Sequence, residues 1–212
     1  MNNSLKNIYE NHHLAKNRGG FSILEKERGQ LLKEFIGIGK SVLDIGCRDG
    51  RLTKHYIVGN NVLGVDIDSN LLKSAEQNLK IETLLMDLNG DWSELGNKKF
   101  DAIVAGEILE HLYYPEIVLE KIKKHLNLGG VFIGSIPNAF SLRNRLRYLL
   151  GDKKNTPLDD PTHINQFSYH EIKNILYKHF YKVNIVGLGR YGFLAKKVPN
   201  FFAFDLFFIC RI

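Results

Sequence analysis

Short apolar runs rich in β-branched residues alternate along this chain with segments in which apolar residues recur at helical spacing. The strand-like runs span residues 41–46, 61–67, 81–87, 100–108 and 131–137. Helical segments are expected between them at residues 51–56, 69–79 and 115–125. This alternation is typical of an α/β fold with a mainly parallel sheet, so we predict five parallel strands.

The two ends of the chain follow a different pattern. A helix is predicted at 21–35, before the first strand, and two more at 141–150 and 169–179, after the fifth. Two apolar runs, 182–189 and 201–209, follow. Because they lie close together with no helical stretch between them, we predict an antiparallel pair.

Residues that favour helix ends agree with these boundaries. Asp68 or Ser69 is expected to cap the second helix, and Pro115 suits the first turn of the third. Gly129 and Gly130 are expected to end that helix. We predict one domain over 1–212, organised as a helical segment (1–40), a cofactor-binding core (41–138), a helical lid and acceptor region (139–180) and terminal strands (181–212).

Composition narrows the class of protein. The 212 residues are 44% hydrophobic and 25% charged, which excludes a disordered chain, and 29 basic against 23 acidic residues permit an anionic partner. No run suits a membrane span or an export signal, and the two cysteines form no CxxC pair. We therefore expect a cytoplasmic protein.

Acidic residues and glycines stand where the first three strands end. Asp44, Gly46 and Gly50 belong to the first strand and its turn, Asp66 ends the second strand, and Asp87 ends the third. Ligands of open α/β sheets bind at this edge. The turn lacks the G-x-G-x-x-G spacing of a dinucleotide site. A carboxylate before its first glycine suits a ligand with an ammonium and a sulfonium group.

Five segments together resemble the motif series of class I S-adenosylmethionine-dependent methyltransferases. They are VLDIGCRDG, GVDID, LLMD, FDAIVAGEILEHL and LNLGGVFIGSIPN, in the expected order over residues 41–138. The chain is also similar to ubiquinone-biosynthesis and glycan-cluster O-methyltransferases. This resemblance implies a Rossmann-like methyltransferase fold, with five parallel strands, a C-terminal antiparallel hairpin and helices on both faces. It implies S-adenosylmethionine as the cofactor.

The resemblance also implies roles for individual residues. Asp44, Gly46 and Gly50 would border the methionine part of the cofactor, Asp66 would hold the ribose, Asp87 would read the adenine, and Ile67 and Leu88 would sandwich the ring. Cys47 is also predicted to bind the cofactor. Arg28 would meet the cofactor carboxylate, or it is a surface arginine. Each strand-end carboxylate has a helix cap or a solvated loop residue as its alternative. The family usually has glycine where this chain has Arg48.

On the acceptor side, Glu107, Glu110 and His111 share a face if their segment is helical. Their E-x-x-E-H pattern resembles a metal site of O-methyltransferases, which implies a divalent cation such as Mg²⁺. The alternative is that these side chains close the strand by hydrogen bonds. Glu107 and His111 are also candidate catalytic residues.

Thr162, His163 and Phe167 resemble a T-H…F segment that covers the active site of related enzymes. His163 is either the base that removes the acceptor's proton or a residue that orders the loop through a backbone hydrogen bond.

A basic cluster lies beside this loop: Arg143, Arg145, Arg147, Lys153 and Lys154. It is, in order of preference, a solvated helix face, an attractant for an anionic acceptor, or a membrane contact, which is not expected. The apolar residues between the arginines are expected to pack on the sheet edge or line the acceptor pocket; they are Phe140, Leu142, Leu146, Tyr148, Leu149 and Leu150.

The resulting prediction is O-methylation of a small hydroxylated acceptor, either a sugar or glycan precursor or a quinone-like molecule, and we favour the glycan. Two alternatives stay open: an RNA 2′-O-methyltransferase and a non-catalytic regulator that binds the cofactor. The sequence contains no recognisable RNA-binding module, so a nucleic-acid partner is not expected.

Overall fold

A computed structural model of the protein describes residues 20–212; residues 1–19, which begin the predicted segment 1–40, lie outside the described residues. The strands are Ser41–Ile45 (β1), Asn61–Asp66 (β2), Glu82–Leu85 (β3), Phe100–Gly106 (β4), Leu126–Pro137 (β5), Lys182–Leu188 (β6) and Asp205–Arg211 (β7). They form one sheet in the order β3-β2-β1-β4-β5-β7-β6. Strands β1–β5 pair in parallel, whereas β7 is antiparallel to β5 and β6, which confirms the predicted fold class.

The helices are Glu25–Ile36 (α1), Ser69–Leu79 (α2), Pro115–His125 (α3), Leu142–Leu149 (α4), Tyr169–His179 (α5), Phe193–Lys197 (α6) and Pro199–Phe202 (α7). Two of the predicted end signals are confirmed. Asp68 Oδ1 accepts hydrogen bonds from the backbone N–H groups of Asn70 and Leu71, which caps α2. Pro115 lies in the first turn of α3.

Alternation along the strands places apolar side chains on both faces of the sheet. Val42 and Leu43 are adjacent in β1 and belong to two different core clusters. The cluster that contains Leu43 includes residues of α3 and α5, and the cluster that contains Val42 includes residues of α1. Helices therefore cover both faces, as predicted.

Three boundary predictions are wrong. The expected helix at 51–56 is a 3₁₀ turn, Thr53–His55. Helix α3 ends at His125, and β5 starts with the next residue, so Gly129 and Gly130 lie inside β5. The pairing of β5 with β4 shifts register here, and Gly129 has φ 77°, a value that glycine adopts without strain.

The third error is in the connection between β6 and β7, where α6 and α7 lie in place of a direct turn. Helix α6 packs closely on β6: a Cβ at Gly187 would lie 2.1 Å from the carbonyl oxygen of Ala195. The apolar run at 201–209 contains the end of α7 as well as β7. This apolar run therefore suggested a single strand, although it contains parts of a helix and of a strand.

The apolar side of α4 does not pack as predicted. Leu142, Leu146, Leu149 and Leu150 are exposed, whereas Asn144 on the same helix is buried. Helix α4 thus turns a polar side inward. No helix of the described residues is both long enough and apolar enough to cross a membrane.

Candidate active site

A cavity of about 360 Å³ lies at the carboxyl ends of the central strands. Eight of the nine predicted cofactor residues line it: Arg28, Asp44, Gly46, Cys47, Asp66, Ile67, Asp87 and Leu88. Glu107, His111 and His163 line it as well. Gly50 and Glu110 are not in its lining. The structure thus brings most residues of both predicted sites to one cavity.

The turn after β1 is shaped by close contacts. Gly46 has φ 75°, and a Cβ there would lie 1.9 Å from Ile108 Cδ1, so only glycine fits without rearrangement. Gly50 has φ 78°, a left-handed conformation that favours glycine, and a Cβ there would also lie 2.3 Å from Leu79 Cδ1 of α2. Arg48 has φ 53°, so it adopts the left-handed backbone conformation that the family's glycine would favour.

Asp44 is buried below this turn. Its Oδ2 accepts hydrogen bonds from Thr53 Oγ1 and from the Tyr56 hydroxyl, each at 2.6 Å. Burial raises the pKa of Asp44 to about 6, although these two hydrogen bonds oppose the shift. The carboxylate is therefore fixed in position, and its charge depends on pH near neutrality.

Asp66 is also buried and is held by backbone groups. Its Oδ2 accepts from the N–H of Arg48 and its Oδ1 from the N–H of Asp68, both at 2.9 Å. The cap of α2 is Asp68 rather than Asp66. Because a carboxylate oxygen accepts more than one hydrogen bond, Asp66 can order the turn and also contact a ligand. Asp87 orders its own loop by accepting from Asn89.

Arg28 is 2% exposed, so the interpretation of this residue as a surface arginine is wrong. Its Nη1 donates to the carbonyl oxygen of Ile23, and its Nε lies 3.7 Å from Asp205 Oδ2. Its Nη2 has no hydrogen-bond partner among the described residues. A Cβ at Gly106 would lie 2.7 Å from that atom, so this glycine makes room for the guanidinium.

Sequence reasoning missed Asp205, the charged neighbour of Arg28. It is buried at the start of β7, and burial, together with the nearby charge of Glu107, raises its pKa well above the usual range. A signal was present in the sequence. An acidic residue within the apolar run FFAFDLFF is costly to bury unless it has a charged partner.

The segment after β4 is not the helix that the E-x-x-E-H argument assumed. Leu109–His111 is a single 3₁₀ turn, and Glu107 before it has φ 60°. Glu107 Oε1 accepts a hydrogen bond from Ser135 Oγ at 3.0 Å, whereas Glu110 is buried. The expectation that Glu107, Glu110 and His111 share a helical face is therefore wrong.

A different set of side chains converges. Ligand atoms of Glu110, His111 and His163 all lie within 4.8 Å of one another. Both carboxylate oxygens of Glu110 are buried without a hydrogen-bond partner among the described residues. Burial and the charge of Glu107 raise the pKa of Glu110 well above its usual range. A buried carboxylate beside two imidazoles is a donor set that suits a divalent metal ion.

The two histidines are oriented by backbone carbonyls. His111 Nδ1 lies 2.9 Å from the Thr162 oxygen, and His163 Nδ1 lies 3.0 Å from the Pro157 oxygen. A carbonyl only accepts, so each neutral ring carries its proton on Nδ1 and its lone pair on Nε2. The sequence predicts two alternative roles for His163, the base or a residue that orders the loop through a backbone hydrogen bond. The structure contains this hydrogen bond, which leaves Nε2 as the basic nitrogen of His163.

The comparison that decides the family is a match over most of the chain. Residues 18–183 match a family model described as "Methyltransferase domain". The chain belongs to this methyltransferase domain family. Membership supports the predicted cofactor, S-adenosylmethionine.

Individual relatives of this methyltransferase domain are distant. Ubiquinone biosynthesis O-methyltransferase from Hydrogenovibrio crunogenus is 29% identical over 142 residues, which are 62% of this chain and 57% of that protein. Ribosomal protein L11 methyltransferase from Clostridium perfringens is 31% identical over 110 residues, 50% of this chain and 34% of that protein. The chain thus spans about a third to just over half of the length of these curated relatives.

Solved structures support the fold of the methyltransferase domain. An S-adenosylmethionine-dependent methyltransferase from Clostridium acetobutylicum has a TM-score of 0.67 at 19% identity, and the match covers 99% of this chain and 98% of that one. An S-adenosylmethionine-dependent methyltransferase from Archaeoglobus fulgidus has a TM-score of 0.65 at 20% identity, and the match covers 89% of this chain and 94% of that one.

Proposed function

We propose that the protein transfers the methyl group of S-adenosylmethionine to a hydroxyl group of a small acceptor. The observation that carries this proposal is that the strand-end carboxylates and both histidines, His111 and His163, line one cavity. A cofactor bound across the strand ends has its sulfonium between these two sets of residues. The acceptor then approaches from the histidine side.

The cofactor end offers a partner for each polar part of the molecule. The partnerless Nη2 of Arg28 suits the cofactor carboxylate, and Asp44 suits its ammonium group. Asp66 accepts from the ribose hydroxyls, and Asp87 accepts from the adenine amino group. Ile67 and Leu88 contact the faces of the ring.

Methyl transfer requires the acceptor oxygen in line with the carbon–sulfur bond. A lone pair of that oxygen forms the new bond to carbon, the carbon–sulfur bond breaks, and its electron pair stays on sulfur. His163 Nε2 takes the hydroxyl proton, since Nδ1 is engaged by the Pro157 carbonyl. Alignment within the closed cavity supplies most of the acceleration.

We also propose that Glu110, His111 and His163 are able to hold a divalent cation, with Glu107 of the original prediction outside the donor set. Two imidazoles and one carboxylate favour a transition metal such as Mn²⁺, Fe²⁺ or Zn²⁺ over Mg²⁺, which prefers oxygen ligands. Such an ion supplies Lewis acidity that lowers the pKa of an acceptor hydroxyl. His163 then acts as a ligand and no longer as the base.

We propose that the acceptor is a hydroxylated small molecule. The curated relatives named as ubiquinone biosynthesis O-methyltransferases favour a hydroxylated small molecule. The polar side chains at the acceptor end include Asn144, Asn155 and Asp160, which suit a hydroxyl-rich sugar or glycan precursor better than an apolar quinone ring. We favour the sugar class.

Calorimetry with S-adenosylhomocysteine, followed by transfer of labelled methyl from S-adenosylmethionine to panels of sugars and catechols, tests the function. His163→Ala should lower turnover about 10²- to 10⁴-fold while leaving cofactor affinity nearly unchanged. His170→Ala, an exposed histidine outside the cavity, is the matched control. Binding of a nicotinamide or flavin in place of S-adenosylhomocysteine would refute the proposal.

Metal binding has a test that does not depend on activity. The protein is stripped with a chelator, and Mn²⁺ and Zn²⁺ are titrated by calorimetry with the bound metal counted by mass spectrometry. The proposal predicts binding of one ion, and its loss in His111→Ala but not in His170→Ala. If the wild-type protein binds no ion, His163 is left as the base.

A further inference from the structure

Helix α4 presents its apolar side chains to solvent. Leu142, Leu146, Leu149 and Leu150 follow the i, i+4, i+7, i+8 spacing of one helical stripe, with exposed fractions of 39%, 54%, 83% and 83%. On the inward side, the amide Nδ2 of the buried Asn144 donates to the carbonyl oxygen of Asn138 at 3.0 Å. This arrangement is the reverse of a helix that packs on a protein core.

A second set of exposed apolar residues adjoins the first through Arg145. Its Nη2 donates to Asn200 Oδ1 at 3.0 Å, and its guanidinium carbon lies 5.0 Å from the centre of the Phe201 ring. These contacts join α4 to α7. The exposed residues of this second set are Phe193, Leu194, Val198, Phe201 and Phe204. We call residues 142–150 together with residues 190–204 the lid face.

Basic residues are concentrated in the lid face and the loop that follows α4. Residues 141–155 contain five basic residues and one acidic residue, and residues 189–204 contain three basic residues and no acidic one. The net charge of the whole chain is +6, so the rest of the sequence is close to neutral. Lys153, Lys154, Lys196 and Lys197 are all exposed.

We propose that the lid face docks on the surface of an anionic lipid bilayer. The leucines of α4 enter the boundary between headgroups and acyl chains, while the lysines and arginines contact lipid phosphates. Exposed leucines beside basic residues fit this partner better than two other candidates. A second copy of the same face carries the same charge and repels it, and the phosphate backbone of RNA offers nothing to four aliphatic side chains.

The lid face also borders the cavity. Asn144 of α4 and Phe204 belong to the cavity lining. Docking would therefore bring the acceptor end of the cavity to the bilayer surface, where an acceptor attached to a lipid is presented. This consequence rests on the proposed function, whereas lipid binding itself does not.

Co-sedimentation of the full chain with phosphatidylcholine vesicles, with and without phosphatidylglycerol, tests the proposal. The protein should sediment with the anionic vesicles. The double variant Leu149→Ser/Leu150→Ser should bind them at least about tenfold more weakly, because it removes the two most exposed leucines of the stripe. Leu128→Ser, at a leucine that is 99% exposed but outside the lid face, should bind like the wild type.

The contribution of the basic residues to vesicle binding is tested with two matched double variants. Lys153→Gln/Lys154→Gln should weaken vesicle binding several-fold, whereas Lys26→Gln/Lys33→Gln, which removes two exposed charges from α1, should not. Binding should also weaken at high salt. Unchanged affinity for S-adenosylhomocysteine shows that each variant is folded.

Three outcomes would overturn the proposal. The first is that the wild-type protein fails to sediment with anionic vesicles at low salt. The second is that the leucine variant converts a dimer into a monomer, which makes a second copy the partner. The third is that RNA binds the protein more tightly than vesicles do and displaces it from them. Vesicle binding without any methyl transfer would instead contradict the proposed function alone.

Discussion

The two ends of the cavity are built by different means. At the cofactor end, Asp44 and Asp66 stand on adjacent strands, and the turn that follows one strand donates a backbone hydrogen bond to the carboxylate of the other. At the acceptor end, His111 and His163 come from segments far apart in the chain. They meet because Asn165, in the loop that precedes α5, donates to the backbone oxygens of Glu110 and Leu112.

This difference teaches that the cofactor end depends on the sheet, whereas the acceptor end depends on one loop. Backbone hydrogen bonds between strands fix the first set of residues as soon as the sheet forms. The second set keeps its geometry only while the loop is held against the end of β4. The geometry of the cofactor end should therefore be insensitive to substitutions elsewhere in the chain. The geometry of the acceptor end should change with the bound substrate.

The largest expected effect concerns the link between Arg28 and Asp205. Arg28→Met should lower the free energy of unfolding by about 3 kcal/mol, the low end for a broken buried pair, because Asp205, whose pKa is already raised by burial, takes up a proton when its cation is removed. Arg51→Met removes a half-exposed partner of Glu25 and should cost no more than about 1 kcal/mol. Urea unfolding measures both values. Equal losses would show that burial of the Arg28 pair has no special importance.

The next effect tests the cofactor end directly. Asp66→Ala should weaken binding of S-adenosylhomocysteine by about 1–3 kcal/mol, since hydrogen bonds to a charged acceptor are lost. Asp91→Ala, an exposed acidic residue outside the cavity, should leave affinity unchanged. Isothermal titration calorimetry compares the two variants. An Asp66→Ala protein that binds as well as the wild type would refute the ribose role.

A smaller effect follows from the pKa of Asp44, which burial raises to about 6. Lowering the pH from 7 to 5 protonates this carboxyl and removes the charge that faces the cofactor ammonium. Affinity for S-adenosylhomocysteine should then fall by up to about tenfold. Asp44→Asn should bind weakly at every pH in this range. A wild-type affinity that does not change with pH would contradict the pairing.

The same shift has a consequence for stability, opposite in sign to the usual one for an acid. The pKa of Asp44 in the folded chain exceeds the unfolded value of 3.8, so its contribution to stability is full below pH 3.8 and is lost as the pH rises through about 6. The pH dependence of urea unfolding, with Asp44→Asn for comparison, measures this contribution.

The smallest expected effect is on the free energy of unfolding, in a comparison of a leucine of α4 with a leucine of α3. Leu149→Ala should change the free energy of unfolding by no more than about 0.5 kcal/mol, because the side chain is 83% exposed. Leu119→Ala on α3 should cost about 2–5 kcal/mol, because that side chain is fully buried. A large loss at Leu149 would contradict the exposure of this side chain in the structure.

Local patterns predicted well which residues lie together at the strand ends, for a physical reason. Each strand and the residue that ends it lie within a few positions of each other, so hydrophobic pattern and turn chemistry specify the geometry together. Gly50 shows where such reasoning stops. Its place in the motif suggested contact with the ligand, but Gly50 is outside the cavity lining, and its φ of 78° accounts for the glycine.

The acceptor end was less predictable because its geometry depends on long-range contacts. The proximity of Glu110 to His163 follows from how the loop folds back, and no periodicity in the sequence encodes that path. The leucines of α4 misled the prediction for another reason. An apolar stripe reveals that a helix has an apolar side, but it does not reveal whether that side faces the protein or its surroundings.

The buried pair of Arg28 and Asp205 also constrains biogenesis. Arg28 is made before the first strand, whereas Asp205 belongs to β7, so a ribosome-bound nascent chain holds an unmatched guanidinium until β7 has been made. The part of the cavity that Arg28 lines therefore takes its final form only after β7 has been made. A shortened chain that stops before β7 should lack this arrangement, even if its first five strands fold.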